Sequence, residues 1–495
     1  MTSDLPIEAV LPAVVDALSH GRSVVLAAPP GAGKTTAVPP ALLDTPWRGD
    51  GTILMLEPRR LAARAAARRM ATLRGEEAGG TVGYRVRLDS RVGPATRIEV
   101  VTEGIYLRRI QGDPGLDGVA AVIFDEFHER SVDADLALAL TLETRAALRP
   151  DLRLVVMSAT LDAGPLAALL GDAETIVAEG RMHPVDVVWA ERPVDDAREL
   201  RAADIARRAL AERPGDVLVF LPGMAEIRRA ERRLAETLDD PQVEVVPLHG
   251  DLAGAAQDRA VAPPPPGHRR IVLATAIAET SLTIAGVRTV VDAGLRRSPR
   301  FDPRTGMTRL ATLPVSAASA EQRRGRAGRV APGVCHRLWT EAEHRGLAPF
   351  DPPEIAAADL APLALELAQW GASDPGSLSW LDPPPAAAVA RARLLLQRLD
   401  ALDADGRPTA IGRRMGNLGV HPRLARMIVG AAGGGTGWTA CRIAALVSER
   451  DPLRAGAGRA DADLRTRLAA LAGARTDADR GALARIDAVA RDLAR

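Results

Sequence analysis

The residues best suited to chemistry surround Lys34, the only lysine in this chain of 495 residues, whose other basic side chains are all arginine. This lysine lies in the segment Gly31-Ala32-Gly33-Lys34-Thr35-Thr36. Glycines in such a loop let backbone N–H groups surround a phosphate, the lysine reaches the outer oxygens, and the Thr35 hydroxyl can bind Mg²⁺. Lysine is slimmer than the arginine fork, so a narrow pocket around a phosphate oxygen would accept lysine alone. The segment predicts a nucleotide phosphate site. The alternative is a Gly-rich turn before a helix, because Ala28 stands where the strict pattern has glycine.

Two adjacent carboxylates follow another apolar run. Residues 121–124, Ala-Val-Ile-Phe, lead directly into Asp125 and Glu126. Combined with the upstream loop, Asp125 would bind Mg²⁺ and Glu126 would orient and deprotonate an attacking water. We therefore predict a metal site formed by Thr35, Asp125 and Glu126. A strand that ends in a solvated acidic turn is the alternative.

A cluster of arginines occupies residues 322–329, Gln-Arg-Arg-Gly-Arg-Ala-Gly-Arg. Arg326 and Arg329 are three positions apart, so on a helix they would share one face. Paired guanidinium groups directed at a γ-phosphate can act as arginine fingers. A charge run is often only a solvated helix face, but its occurrence together with a phosphate loop and an acidic pair favours catalysis.

Two series of short apolar runs, separated by helical Ala/Arg/Leu patterns, must position these residues. Runs of this kind predict strands buried on both faces, in parallel sheets covered by helices. The first series comprises residues 23–27, 52–56, 97–101, 119–124 and 153–157. After the segment 191–196, the second series comprises residues 216–221, 243–247, 270–274 and 288–292. The predicted fold class is therefore α/β, with two tandem lobes.

The remainder of the chain predicts a hairpin and helical domains. Residues 295–313 form two extended arms around the turn-rich segment Asp-Pro-Arg-Thr-Gly, which predicts a β-hairpin that carries five arginines. From residue 345 onward the pattern becomes helical. We divide the chain into lobes at 1–188 and 189–343 and helical domains at 344–410 and 411–495. The last helix pattern reaches Arg495 without a stop signal, so we expect this domain to be incomplete.

Bulk composition excludes several classes of protein. The formal net charge is +1, so any nucleic-acid surface must be local. The 2 cysteines are too few for a disulfide framework and lack zinc-ligand spacing, which suits a reducing compartment. The start of the chain carries Asp4 and Glu8 instead of a basic leader, and no apolar run reaches about 18 residues. We expect a soluble, cytoplasmic protein with no membrane partner.

Taken in order, these segments resemble the DEAH-box/RHA family of superfamily 2 helicases, and most closely its bacterial HrpB branch. The resemblance covers most of the chain and rests on seven signatures in register: Gly31–Thr36, Glu57-Pro58-Arg59-Arg60, Thr102-Glu103-Gly104, Asp125-Glu126-Phe127-His128, Ser158-Ala159-Thr160, Ala274–Thr283 and Gln322–Arg329. Phe127 stands where most of the family has alanine, a variant typical of the HrpB branch. The resemblance implies two tandem RecA-like P-loop domains with parallel sheets, followed by winged-helix-like and ratchet-like helical domains. Proteins of this branch usually continue with a further C-terminal region.

The resemblance also implies roles at an ATP and Mg²⁺ site. Gln322, Arg326 and Arg329 would meet the γ-phosphate across the cleft, and His128 would couple the nucleotide state to the second lobe. Ser158 and Thr160 would link hydrolysis to lobe movement. The adenine ring would lie between Arg69 and position 261, where valine replaces the usual aromatic residue, so we expect loose base recognition.

Single-stranded nucleic acid would lie across both lobes. The implied contacts are Arg59, Arg60, Thr102, Thr275 and Thr283, with Arg300 and Arg304 on a strand-separating hairpin. Ala276 replaces the usual asparagine of its signature, and Ala285 stands where relatives often carry an acid. Contacts mainly to phosphate and sugar predict salt-sensitive, largely sequence-independent binding. Aromatic residues make up 3% of the chain, which argues against an extended base-stacking platform.

The resulting prediction is an ATP-dependent helicase or translocase that displaces strands. By analogy with the family, RNA is the expected partner and 3′ to 5′ the expected direction, although no residue pattern distinguishes RNA from DNA. One alternative, an RNA-stimulated ATPase that remodels ribonucleoprotein without processive unwinding, fits the sequence equally well. A second alternative, a nucleic-acid-binding scaffold, should have lost catalytic groups, whereas all of them are present here.

Overall fold

The computed structural model describes residues 5–29, 31–159, 163–171, 173–180, 183–194, 196–250, 252, 254–279, 284–372, 374–453, 462–474 and 476–495. Within these residues the chain forms two α/β lobes followed by a helical region. No helix in the described part is both long and apolar enough to cross a membrane.

The first lobe alternates helices and strands. Its elements are α1 (Leu11–Ser19), β1 (Val24–Ala27), α2 (Lys34–Ala41), β2 (Thr52–Glu57), α3 (Arg60–Leu73), β3 (Val82–Val86), β4 (Asp89–Arg91), β5 (Ile98–Thr102), α4 (Glu103–Gly112), β6 (Val119–Phe124), α5 (Val132–Ala147), β7 (Arg153–Ser158), α6 (Gly164–Leu170) and β8 (Glu174–Val177). The strands form one sheet in the order β4-β3-β5-β2-β6-β7-β1-β8, parallel except between β3 and β4. Because the carboxyl ends of parallel strands share one edge, the loops after β1, β2, β6 and β7 meet there.

Burial on both faces explains why these runs are strands. In β2, Leu54 and Leu56 pack into the core on one face of the sheet, whereas Ile53 and Met55 pack into the core on the other face. Successive side chains of a strand point to opposite faces, so a central strand covered on both sides must be apolar throughout. Each such side chain contributes roughly 1.5–3 kcal/mol on burial.

The second lobe repeats this architecture, and the strands of its main sheet are all parallel. Its elements are β9 (Val185–Trp189), α7 (Arg198–Glu212), β10 (Asp216–Phe220), α8 (Met224–Thr237), β11 (Val243–Leu248), α9 (Gly254–Val261), β12 (Arg269–Ala274), β13 (Val287–Asp292), β14 (Leu295–Asp302), β15 (Met307–Pro314), α10 (Ala317–Gly325) and β16 (Gly333–Arg337). The main sheet has the order β11-β12-β10-β13-β16-β9. Strand β9 pairs with β16, so the expected boundary between residues 188 and 189 falls inside a strand of the second lobe.

The hairpin β14-β15 stands apart from both main sheets. Its antiparallel register runs from the Leu295 and Pro314 pair to the Asp302 and Met307 pair. Arg300 lies directly opposite Arg309, and both side chains are exposed. Like charges at paired positions repel, so this surface is suited to a polyanion.

Part of the helical region packs against the first lobe. It contains α11 (Glu341–Arg345), α12 (Ala361–Trp370), α13 (Ala386–Arg398), α14 (Ala410–Gly416), α15 (Pro422–Ala431), α16 (Gly437–Ser448), α17 (Leu464–Leu471) and α18 (Arg480–Leu493). Side chains of α12 and α13 share one apolar core with α4 and α5 of the first lobe. A separate core joins α15, α16 and α18.

The strands predicted from the sequence are all present, with ends within one residue of the prediction. The hairpin is also confirmed. Five strands were not predicted from the sequence, and they include both edges of the first sheet and one edge of the second: β3, β4, β8, β9 and β16.

A half-buried glutamate lies where α4 and α5 meet. Glu103 begins α4, and its Oε2 atom accepts a hydrogen bond from Ser131 Oγ at 2.7 Å. Ser131 also caps α5 by accepting from Ala134 N at 2.9 Å. Burial raises the pKa of Glu103 to about 8, and the neighbouring acids Asp133 and Glu129 add to the shift.

We predict that Glu103→Gln changes the pH dependence of stability. The folded state prefers protonated Glu103. The contribution of Glu103 to the stability of the folded state is therefore complete below the ordinary pKa of 4.5 and is lost as the pH rises to about 8. The variant should therefore gain stability over the unsubstituted protein between pH 5 and pH 9, by on the order of 1–2 kcal/mol after allowance for solvent screening. Urea denaturation at several pH values measures this difference. A difference that stays constant across the range would show that Glu103 is not held protonated.

Candidate active site

The loop between β1 and α2 forms a cradle that only glycine backbones permit. Gly31 and Gly33 adopt φ angles of +89° and +93°, in the left-handed region. A Cβ atom on Gly33 would lie 2.7 Å from Leu5 Cδ1, and one on Gly31 would lie 3.5 Å from the guanidinium carbon of Arg329. The described part of the loop is held in place by the hydrogen bond from Ile7 N to the Ala32 carbonyl, 3.2 Å long.

Lys34 begins α2 and points into the protein, where its side chain is 4% exposed. Its Nζ atom donates to Glu126 Oε1 at 3.1 Å. Burial alone would lower the pKa of Lys34, but the nearby Glu126 and Asp125 carboxylates outweigh it and raise the pKa. The lysine is therefore charged at neutral pH although its side chain is almost fully buried.

Asp125 and Glu126 follow β6 and face the phosphate loop. Thr35 Oγ1 donates to Asp125 Oδ2 at 2.5 Å. Glu126 adopts a left-handed backbone with φ of 50°, unusual for a residue with a side chain. Burial raises the pKa of Asp125 to about 6 against the attraction of Lys34. Although burial opposes its charge, the Lys34 ammonium group, which also donates a hydrogen bond to it, holds the pKa of Glu126 below the ordinary value.

Glu57 is a third carboxyl group beside Asp125 and Glu126, and no role in the site was predicted for it from the sequence. It ends β2, which is adjacent to β6, and it is 2% exposed. Burial, together with Asp125 and Glu126, raises its pKa well above the usual range. A signal existed in the sequence, because Glu57 ends a buried strand just as Asp125 follows one. Recognising it required knowing that these two strands are neighbours.

These residues fit a nucleotide with Mg²⁺. The Thr35 hydroxyl and the Asp125 carboxylate converge within 2.5 Å, and both are hard oxygen ligands of the kind that Mg²⁺ prefers. No group of three or more His, Cys, Asp or Glu side chains among the described residues forms a complete metal site. That is consistent with Mg²⁺, which usually binds one or two carboxylates, substrate phosphates and water. The surplus of carboxyl groups over the single ammonium group also favours a cation.

Arginines from the second lobe close the opposite side of the cleft. Arg326 follows α10 and is 4% exposed, and its Nε atom donates to the Glu279 carbonyl at 2.9 Å. Burial and the adjacent Arg329 lower the pKa of Arg326 well below its usual value, and burial lowers that of Arg329 to about 10. A bound polyanion would reverse both shifts. The structure thus places the two predicted fingers beside the phosphate loop.

His128, Ser158 and Gln322 line one cavity of about 550 Å³ between the lobes. Burial lowers the pKa of His128 against the attraction of Glu126, so the ring is neutral at pH 7. Its Nδ1 atom accepts a hydrogen bond from Ala159 N at 3.2 Å, which places the ring proton on Nε2. Within the described residues Nε2 has no hydrogen-bond partner. The ring therefore carries a buried N–H donor next to the cavity.

The residues predicted to contact nucleic acid lie in different environments. Arg60, Arg300 and Arg304 are exposed, whereas Thr102 and Thr275 are half-buried. Thr283 lies outside the described residues, as does Thr160. Among the residues of the adenine prediction, Arg69 is exposed on α3 and Val261 is half-buried at the end of α9.

Arg59 occupies an unexpected position, because it bridges the lobes. Its guanidinium group donates to Glu129 Oε2 at 3.2 Å and to the Ile277 carbonyl of the second lobe at 3.4 Å. Arg60, the next residue, is exposed at the start of α3. The two adjacent arginines therefore face different surroundings.

Comparison with known proteins gives consistent matches. The DEAD/DEAH box helicase family model matches residues 10–168, and the helicase conserved C-terminal domain model matches residues 201–331. The chain is 48% identical over 451 residues to the ATP-dependent RNA helicase HrpB of Escherichia coli, covering 90% of this chain and 55% of that protein. It is 36% identical over 432 residues to the pre-mRNA-splicing factor ATP-dependent RNA helicase prp22 of Schizosaccharomyces pombe, covering 86% and 37% of the two chains.

Solved structures show the same likeness. The crystal structure of the Escherichia coli DEAH/RHA helicase HrpB superimposes with a TM-score of 0.90 at 45% identity, over 99% of this chain and 61% of that one. A crystal structure of the Escherichia coli DExH-box NTPase HrpB gives a TM-score of 0.86, over 100% and 59% of the two chains. The chain thus spans little more than half the length of HrpB.

We predict that Lys34→Arg strongly reduces any ATP hydrolysis at this cleft although it preserves the charge. The Lys34 side chain is almost fully buried, so the wider guanidinium cannot occupy the position of the ammonium group. The turnover number should fall at least about 100-fold, the scale of losing one stabilising group at a reacting phosphate. Steady-state phosphate release measures the loss, with Arg68→Lys on the exposed face of α3 as the control. Turnover close to that of the unsubstituted protein would show that Lys34 does not contact the phosphates.

Proposed function

The chain belongs to the DEAD/DEAH box helicases, and from this membership we propose that it uses ATP hydrolysis to displace strands of nucleic acid, acting on RNA in the 3′-to-5′ direction. One observation carries the proposal. Lys34, Asp125 and Glu126 of the first lobe and Arg326 and Arg329 of the second face a single cleft. Both relatives named above are ATP-dependent RNA helicases, which supports RNA as the substrate.

The side chains divide the chemistry of hydrolysis among themselves. Glu126 is ionised and buried beside Lys34, so it can accept the proton of an attacking water. Thr35 and Asp125 would hold Mg²⁺, which supplies charge neutralisation for the phosphates. Lys34 on one side and Arg326 and Arg329 on the other would stabilise negative charge that develops on the γ-phosphoryl group.

Because both lobes would contact the same nucleotide, ATP hydrolysis would move the lobes relative to each other. An ATP molecule that contacts both lobes favours a closed cleft, and loss of its γ-phosphate removes the contacts of the second lobe. His128 and Gln322 line the same interlobe cavity, so both can respond to this change. We assign His128 a positioning role, because its neutral ring bonds Ala159 of the loop after β7.

Exposed arginines give the nucleic acid a path across the surface. Arg300 and Arg309 lie opposite each other on the hairpin, where phosphate groups would relieve their repulsion. We propose that this hairpin separates strands. Helices α12 and α13, followed by an antiparallel bridge between Leu402 and Pro408, support a winged-helix-like domain at 344–410, with a ratchet-like domain at 411–495.

We also propose a cytoplasmic location. The two cysteines, Cys335 and Cys441, are both buried and unpaired, the form expected in a reducing compartment.

The proposed activity predicts ATP-dependent displacement with a defined polarity. An RNA duplex with a single-stranded 3′ tail should be displaced at least about tenfold faster than one with a 5′ tail, a difference near 1.4 kcal/mol in the activation free energy. Gel separation of labelled strands measures the rates, and matched DNA duplexes test the RNA preference. Glu126→Gln should bind ATP but displace nothing. ATP hydrolysis stimulated by RNA without displacement of any duplex would instead favour a remodelling ATPase.

Substitution of the two adjacent arginines, Arg59 and Arg60, should cause different defects. Arg60→Ala should weaken RNA binding and reduce the slope of log affinity against log salt by roughly 0.7, because one phosphate contact is lost. Arg59→Ala should leave that slope unchanged and reduce the stimulation of ATPase activity by RNA, because it removes the bridge to Ile277. Titration of labelled RNA at several salt concentrations separates the variants. Equal slope changes in both would place Arg59 on the RNA.

A further inference from the structure

A chain of buried charged residues crosses the second lobe behind the arginine fingers. At its centre is Arg323 in α10, which is 1% exposed. Its Nε atom donates to Glu279 Oε2 at 3.1 Å, and its Nη1 atom donates to Asp292 Oδ1 at 2.8 Å. The guanidinium group also lies 4.9 Å above the ring of Phe220. One planar group thus holds two carboxylates that belong to different elements.

At one end of this series of charged residues lies Arg326, the proposed arginine finger. Glu279 accepts from Arg323 through its carboxylate, and its backbone carbonyl accepts from Nε of Arg326 at 2.9 Å and also from Nη2. Ser319 Oγ donates to the other carboxylate oxygen at 2.5 Å. Any displacement of Arg326 toward or away from a phosphate therefore acts directly on Glu279.

At the other end of this series of charged residues lies the base of the hairpin. Asp292 ends β13 and accepts from Gly294 N at 2.8 Å through the same oxygen that binds Arg323. Arg323 Nη1 also donates to the carbonyl of Leu295, the first residue of β14, at 3.3 Å. Gly294 has φ of +74°, and the ring of Trp339 fills the space that its Cβ would need, at 2.6 Å. The hairpin base is consequently fixed to Arg323 and has little room to move independently.

We propose that Arg323 is a positioning residue that couples the γ-phosphate sensor Arg326 to the strand-separating hairpin β14-β15. The inference rests on the function proposed above. When Arg326 changes its contacts, Glu279 moves with it. Arg323 is bonded to Glu279, Asp292 and Leu295, so it passes this movement on to the base of the hairpin. Stability gives little reason for this arrangement, because apolar residues of similar volume are often as stabilising as a buried ion cluster. The planar fork is required, because one ammonium group cannot bond both carboxylates and a carbonyl in these directions.

The test is Arg323→Lys, which keeps the charge and loses the fork. The quantity measured is the number of base pairs displaced per ATP hydrolysed, from parallel displacement and phosphate-release assays on the full chain. We expect this ratio to fall about tenfold, within the range typical of coupling between two sites. The KM for ATP should change little. The matched control is Arg324→Lys, the same change one position along, at a half-exposed side chain paired with Glu321, which should leave the ratio unchanged.

A second variant keeps the test valid if Arg323→Lys folds poorly. Glu279→Gln retains the backbone carbonyl that binds Arg326 and an acceptor for Ser319, but it loses the charge that holds Arg323. It should lower the same ratio. If hydrolysis and displacement fall in equal proportion in both variants, Arg323 acts only in folding and the coupling is disproved. An unsubstituted protein that hydrolyses ATP but displaces no strand would overturn the proposed function itself, and the coupling with it.

Discussion

The structure depends above all on how charge is compensated where the first sheet meets the second lobe. Glu57, Asp125 and Glu126 are buried there beside a single ammonium group, that of Lys34. An uncompensated buried ion costs several kcal/mol, so each carboxylate needs a cation or a proton nearby. The ion pair between Lys34 and Glu126 and the raised pKa values of Asp125 and Glu57 are two forms of that compensation. Mg²⁺ with a nucleotide would supply a third.

The second lobe meets this cluster with the opposite imbalance. Arg326 is buried and Arg329 is half-buried, and both have pKa values below the ordinary range, so this side of the cleft favours an anion. A polyphosphate with its metal ion would compensate both charges, because the metal ion would neutralise the carboxylates and the phosphates would neutralise the arginines. That is a physical reason for two lobes to close on one ligand. The ion chain through Arg323 extends the same principle from the cleft to the hairpin, because a charge held between two elements constrains both.

Much of the fold could be predicted because its central strands are buried on both faces. A run such as Thr52–Glu57 has to be almost entirely apolar, so its period and length are visible in the residues themselves. Edge strands lack that signature. The strand Val185–Trp189 alternates half-buried and exposed positions, and the boundary between the lobes was consequently placed inside it. Glu57 was missed for a related reason, since its importance depends on a neighbour that is distant in the chain.

The kind of chemistry is visible in three short segments: a phosphate loop with the only lysine, an acidic pair after an apolar strand, and an arginine run in a second α/β lobe. These are local signals, because each arises from residues within one turn or one strand. How these segments combine depends on the packing of distant parts of the chain. That packing placed Arg329 beside Gly31, directed Arg59 to the other lobe and joined Arg326 to the hairpin through Arg323. Such pairings depend on strand order and lobe orientation, which the packing of the whole chain sets and no short segment encodes.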